Sequence, residues 1–498
     1  MADSVLFQGL IASGDRVVKE LPKMDLESYI SNYDGYTKLM RLQCIAMTSP
    51  LLSKEAFRIA ITQIKESATK NGGCSDVTFY QTLVEALEKL SPSDPLAYLD
   101  TDWMEQVTAK SARKTDILEK ELKTYKNNLI KESIRMGTED LGNHFITIGN
   151  FGDAYRSYNR MREHCTTSKQ IAQMTFKLLY LSTLQRNWGA TQSYQLKMSA
   201  LQLPDKDRAE YDPIMEACSG LAHLSQGQYR EAAIAFLKVD QSYTTPIKQA
   251  GITFQREVIS PNDVAVYGGL CALAKMDREE LQRRVLDNSS FRPLLELEPH
   301  IRRAISMFCA SKYTGCLEIL ESYQADYLLD LYLQDHFLNL YKAVRAKCII
   351  QWFSAFSVVT WSEIEKAFPQ KLEGMSIEDE LKKMIMEDGL DARLDLVDKL
   401  LICPTPDLRI TTIESSLTTA RDIERKMRLK LHRINMQAAG FVVKSSNSGG
   451  NNISGLLLDD AESKGNSGGG PLSVMGLRGA NTGGKVKRGS SGLGFGGF

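Results

Sequence analysis

Along the middle of this 498-residue chain a small residue is repeatedly followed, four positions later, by a bulky one. The pairs are Ala154 and Tyr158, Ala190 and Tyr194, Ala232 and Phe236, and Cys316 and Leu320. Four residues are about one helical turn, so both members of a pair share a helix face. The small residue admits a neighbouring helix and the bulky one fills the groove between them. Short turns precede three of the pairs at one offset: Gly149-Asn150-Phe151, Gly227-Gln228-Tyr229 and Ser311-Lys312-Tyr313. Gly142 and Gly220 stand twelve residues before two of the anchors, and the anchors follow one another at 36, 42 and 84 residues. The last interval reads as two units, with a weak copy at Gly269, Leu281 and Val285 between them. A lone helix hairpin cannot bury its apolar face, so copies of this kind stack into a solenoid.

The fold class is therefore mainly α, and the pattern resembles tetratricopeptide repeats. An N-terminal helical segment covers 1–115, with amphipathic stretches at DLESYISNYDGYTKLMRLQCIAM and SKEAFRIAITQIKES and a Pro-interrupted loop at Ser91–Pro95. Repeats fill 116–249. From 250 to 412 the last repeats lead into a different unit at about 358–403. There Thr360-Trp361-Ser362-Glu363 has the form of a capping box. Ser376 with Asp379 reads as a second cap, and Gly389 closes that helix. Ala392, Leu394 and Leu396 then alternate with polar residues into a hairpin around Asp398-Lys399. Helix, helix, hairpin is a winged helix.

A long helix is expected at 413–444. Ile413, Leu417, Ala420, Ile423, Met427, Ile434 and Ala438 recur along it at steps of 3, 4 or 7, a coiled-coil-like seam opposite Arg421, Arg425, Lys426, Arg428, Lys430 and Arg433. In the tail, 445–498, sixteen residues are Gly. A segment of that composition is expected to be disordered, because it has too little apolar surface to offset its ordering entropy.

Composition narrows the function classes. Lys and Arg total 61 and so do Asp and Glu, which excludes a chain-wide basic field for nucleic acid or anionic lipid. No apolar run approaches the ~20 residues of a membrane span. MADSVLFQGLIASGD lacks the basic start of a secretory signal. Nine Cys without a C-x-x-C pair suit reduced thiols.

The search for chemistry finds little. His144, His164, His223, His300, His336 and His432 form no H-x-H or H-E-x-x-H, so no local zinc motif exists. There is no G-x-S-x-G elbow and no Walker A loop. The glycines at 492, 494 and 497 match G-x-G-x-x-G with no strand before them and no helix after, a composition accident. Catalytic, cofactor-binding and metal sites are thus expected to be absent, and no cofactor is implied. The second helix of the winged unit carries Glu378, Asp379, Glu380, Glu387 and Asp388 against Lys382 and Lys383. Phosphate repulsion makes nucleic acid an unfavoured partner there. What remains are surfaces for other proteins: Leu394, Leu396, Leu400 and Ile402 on the hairpin, whose open strand edge can pair with a neighbour, and Ile423, Met427, Ile434 and Ala438 on the seam.

A solenoid leading into a winged helix and a last long helix resembles the PCI-domain subunits shared by the proteasome lid, the COP-nine signalosome and a translation initiation factor complex. NLIKESIRMGTEDLGNHF (128–145), SPNDVAVYGGLCALAKMDREELQRRVLDNSSF (260–291), LLELEP (294–299) and LLDLYL (328–333) look like the signalosome branch; the proteasome-lid paralogue is the nearest rival. The resemblance implies a non-catalytic scaffold in a complex that removes a ubiquitin-like modifier from cullins and so regulates cullin-RING ubiquitin ligases. The isopeptidase would be another, JAMM-type subunit. It further implies PCI and MPN/JAMM partners, cullin-RING ligases reached through the complex, no membrane, and residence in cytoplasm and nucleus. Winged helices of the family line up edge to edge, here at Ala392–Ile402, C-terminal helices gather in a bundle, here Ile413–Ala439, and N-terminal segments project outward. A proteasome-lid subunit and, from another class, a winged-helix nucleic-acid regulator are the alternatives.

Overall fold

The computed structural model describes residues 5–13, 16–69, 73–369, 377–387, 389–403 and 408–441. The expected second cap at Ser376 and the Gly-rich tail lie outside them. The chain divides into two units, Met1–Thr405 and Pro406–Phe498.

In the first unit the repeats are helix hairpins closed by one kind of turn. Gly149, Gly227 and Ser311 take left-handed φ values of 85°, 74° and 62°. At each the left-handed residue's N–H bonds a carbonyl three back and the next N–H one five back. Gly149 N–H thus meets Ile146 O at 3.0 Å and Asn150 N–H meets Phe145 O at 2.9 Å. Arg186-Asn187 makes the same two bonds with Arg186 at φ 54°, and this turn leads into Trp188–Ser199, the helix of the Ala190–Tyr194 pair. The sequence conceals this fourth turn because arginine stands where glycine would advertise it. The side chains of Asn150 and Asn187 then cap the helices that follow, accepting from the Asp153 and Ala190 amides.

The glycines ahead of the anchors are where the bulky residues land. A Cβ on Gly142 would lie 2.5 Å from the Tyr158 ring, and one on Gly220 2.5 Å from the Phe236 ring. Tyr158 and Phe236 are fully buried there. The weak copy is different from expectation. Gly269 faces Ile301, on the helix Pro299–Cys309, with a would-be Cβ 2.3 Å from Ile301 Cγ2, while Gln282–Leu286 is a single wide turn. The spacing was right to signal a close approach at Gly269 and wrong about its partner, because short helical pieces at Arg278–Leu281 and Arg292–Leu295 interrupt the hairpin.

The N-terminal segment does not project from this unit. Arg41, on the helix Gly35–Thr48, is almost wholly buried and bridges two acids far along the chain. Its guanidinium reaches Asp263 at 2.8 Å and Asp330 at 2.7 Å. Tyr33 donates to Asp263 and Tyr267 to Asp330. Asp263 is also the reciprocal cap of its own helix, Pro261–Lys275, with Ser260. Burial pushes the Asp263 carboxyl up to about 6. Burial also acts on Asp330, but the charge of Arg41 and the Tyr267 hydroxyl outweigh it and hold that carboxyl below its ordinary value. Two acids around one cation share a single compensating charge, and the one that loses is Asp263.

Candidate protein-interaction surfaces

The winged unit is tied to the repeats by one buried cation. Arg345, on the helix Phe337–Phe353, pairs with Glu380 at 3.0 Å and donates to the Phe368 carbonyl at 2.9 Å. Its arm thus grips the ends of both winged helices, Trp361–Ala367 and Ile377–Met386. The Thr360 box is formed: its hydroxyl accepts from the Glu363 amide and the Glu363 carboxylate accepts from the Thr360 amide. Lys382 pairs with Glu378 on its own helix and Lys383 with Glu387 just past its end. The two lysines of this helix are thus matched by neighbouring acids.

Three strands complete the unit: β1 (Val358–Thr360), β2 (Arg393–Asp395) and β3 (Leu400–Ile402), in the order β1-β3-β2 and antiparallel throughout. β1 was not legible, since its three residues run straight into the Thr360 cap signal. Its presence moves the candidate edge. Leu400 and Ile402 lie on the central strand, paired on both sides, with Val358 and Arg393 each opposite Ile402. The open edges are therefore β1 and β2. Leu394 is on β2, half-buried against the core. Leu396 is in the β2–β3 turn rather than a strand and is 57% exposed. Leu401 is the fully buried member of β3, with Leu400 and Ile402 half-buried on its other face. Val358, beside the edge, is 49% exposed.

Among the described residues of the second unit is one helix, Leu408–Ala438, in which every residue is exposed. Ile413, Leu417, Ile423, Met427 and Ile434 are all more than half exposed, and Ala438 is exposed with them. Leu431 belongs to this face too. It follows Ile413 by eighteen residues, a whole number of turns at 3.6 residues each, and fills the gap between Met427 and Ile434. Leu429 and Met436 are exposed as well, but at 100° per residue they fall on the opposite side of the helix, among the arginines and lysines.

Among the described residues, no three His, Cys, Asp or Glu side chains gather where they could hold a metal ion, and no helix is long and apolar enough to cross a membrane. The nine cysteines are free thiols, and burial raises those of Cys44 and Cys74 to about 11. Such thiols stay protonated and poorly nucleophilic at neutral pH.

The family model of 26S proteasome subunit RPN7 matches residues 100–284, and that of the PCI domain matches 320–404. The chain is 44% identical to COP9 signalosome complex subunit 1 of Emericella nidulans over 86% of its own length and 84% of that protein's. It is 36% identical to the protein of that name in Arabidopsis thaliana, over 85% and 92%, and 32% identical to subunit 1b of Drosophila melanogaster, over 90% and 92%. Similarity to the 26S proteasome non-ATPase regulatory subunit 6 of Oryza sativa is 22% over 39% of the chain.

Proposed function

The chain belongs to the family of COP9 signalosome complex subunit 1, and on that premise we propose that it works as a non-catalytic scaffold of the signalosome, holding companions through its winged-helix edges and its last helix. The observation that carries this reading is the 31-residue helix Leu408–Ala438 without a single buried residue. In proteins most of a helix's stability comes from packing an amphipathic face, and an apolar stripe without cover is a docking surface. The occupants are the corresponding helices of other PCI and MPN/JAMM subunits. The JAMM-type subunit supplies the isopeptidase that removes the ubiquitin-like modifier from cullins, and cullin-RING ligases are met through the assembled complex. Reduced thiols support residence in cytoplasm and nucleus.

The test is assembly. Met427→Asp together with Ile434→Asp places two carboxylates in the bundle, a cost of several kcal/mol when they are buried unpaired. The double variant is expected to leave the complex on gel filtration, with loss of its cullin-processing activity. Co-migration at parental levels would refute the role of this helix. Purification of the native complex is expected to recover a JAMM protease and several PCI proteins; recovery of proteasome ATPases would refute the signalosome assignment.

A further inference from the structure

The helices Thr101–Asn127 and Lys131–Ile148 form a hairpin whose second helix packs against the main core through Gly142 and Phe145. Leu122, Ile134 and Leu141 make a small hydrophobic cluster of their own. Between this hairpin and the end of the helix Phe151–Met161 lies a cavity of about 360 Å³, within the range of roughly 300–1,000 Å³ usual for binding pockets. The three cluster residues floor it and Leu129 stands at its lip. Leu129 is in the left-handed conformation, φ 56°, and is 81% exposed. A bulky apolar residue held in a disfavoured conformation and pointed at water is costly twice over, and its neighbour Ile130 is 54% exposed.

The rim is charged. Lys126 and Arg160 line it, and both are exposed. Neither forms an ion pair among the described residues, whereas Glu132 and Glu139 of the adjoining helix are taken by Arg135 and Lys177. Glu163 is the one acid of the lining, beside His164. The rim therefore keeps an unmatched positive charge around a largely aliphatic floor, in which the buried Thr138 and Ser157 hydroxyls are spent on backbone carbonyls of their own helices.

We propose that this groove docks an acidic amphipathic segment of a partner protein, which inserts an aliphatic side chain between Leu122, Leu129, Ile134 and Leu141 and sets its carboxylates against Lys126 and Arg160. The complementarity is of both kinds: aliphatic surface meets aliphatic surface, and the charge that lacks a match inside this chain finds one outside it. The groove shares no residue with the winged helix or the last helix, so the inference stands whether or not those surfaces build the complex.

The probe is a displayed library of random 16-residue peptides selected on the full chain. Parallel selection uses Lys126→Glu with Arg160→Glu, a pair of exposed positions whose reversal is expected to leave the fold intact, checked by circular dichroism and melting. Peptides enriched on the parent are expected to combine Leu, Ile or Met with Asp or Glu, to bind the double variant at least tenfold more weakly, and to weaken as salt rises. A Leu129→Ser variant is expected to weaken the same peptides without changing their salt dependence. Absence of enrichment, enrichment without acidic and aliphatic residues, or equal binding to the charge-reversed chain would overturn the proposal. So would concentration-dependent self-association of the parent that the charge reversal abolishes, since the occupant would then be a second copy.

Discussion

Two helices of this molecule could hardly differ more. Ser168–Leu184 buries Ala172 and every residue from Met174 to Leu184, so neighbours surround it on all faces. Leu408–Ala438 buries none, although it is almost twice as long. Apolar residues in the first are already used by the fold, and those in the second are not. If the last helix docks companions as proposed, stability and assembly are written in different stretches of one chain, and substitutions in the two should fail in different ways.

The sharpest test of that division is Arg41→Met. It leaves Asp263 and Asp330 buried without their cation, and breaking such a pair costs about 3–5 kcal/mol. The isolated chain should unfold at correspondingly lower urea concentration, followed by circular dichroism. Gly220→Val comes next. Its Cβ would lie 2.5 Å from the Phe236 ring, and overpacking of this kind costs about 1–3 kcal/mol, read in the same titration. A smaller effect concerns pH. Asp263 in the folded chain titrates at about 6, against an ordinary aspartate value near 4. Between about pH 4 and pH 6 the folded state therefore holds a proton the unfolded state has released, so this group's contribution to stability is present at low pH and lost as pH rises through 6. Asp330 is displaced the other way, so its contribution is lost as pH falls below the ordinary range. Asp263→Asn should flatten the decline between pH 4 and pH 6 in denaturation curves compared with the parent. Smallest of all is the effect of Met427→Asp with Ile434→Asp on the isolated chain, expected within about 0.5 kcal/mol of the parent, as for exposed positions generally. A large loss of stability there would break the comparison, because the last helix would then be serving the fold.

Much of the architecture was legible because it rests on local rules. Alanine and glycine at fixed offsets, the Thr360 box and the run of apolar steps past Ile413 each state their geometry within a few residues. The helix from Leu408 begins five residues earlier than the seam suggested, a fraying of boundary rather than of type. What escaped depends on partners distant in sequence. β1 is three residues long and is a strand only because β3 pairs with it, which is also why Leu400 and Ile402 were placed at an edge they do not form. Arg41 sits in an unremarkable amphipathic stretch, and nothing near it announces Asp263 or Asp330. The expected outward N-terminal arm failed for that reason. The groove beside Leu129 was equally hidden, since a left-handed leucine leaves no trace in composition.

The Arg41 bridge joins residue 41 to residue 330, 289 positions apart. During synthesis the guanidinium emerges long before either acid, and contacts so remote in sequence close slowly. Variants shortened from the front would meet the converse difficulty, two negative groups left facing each other in a dry interior. Deletion mapping of this protein's leading segment would then report on misfolding while seeming to report on lost recognition, and separating the two requires point changes on the surface rather than scissors.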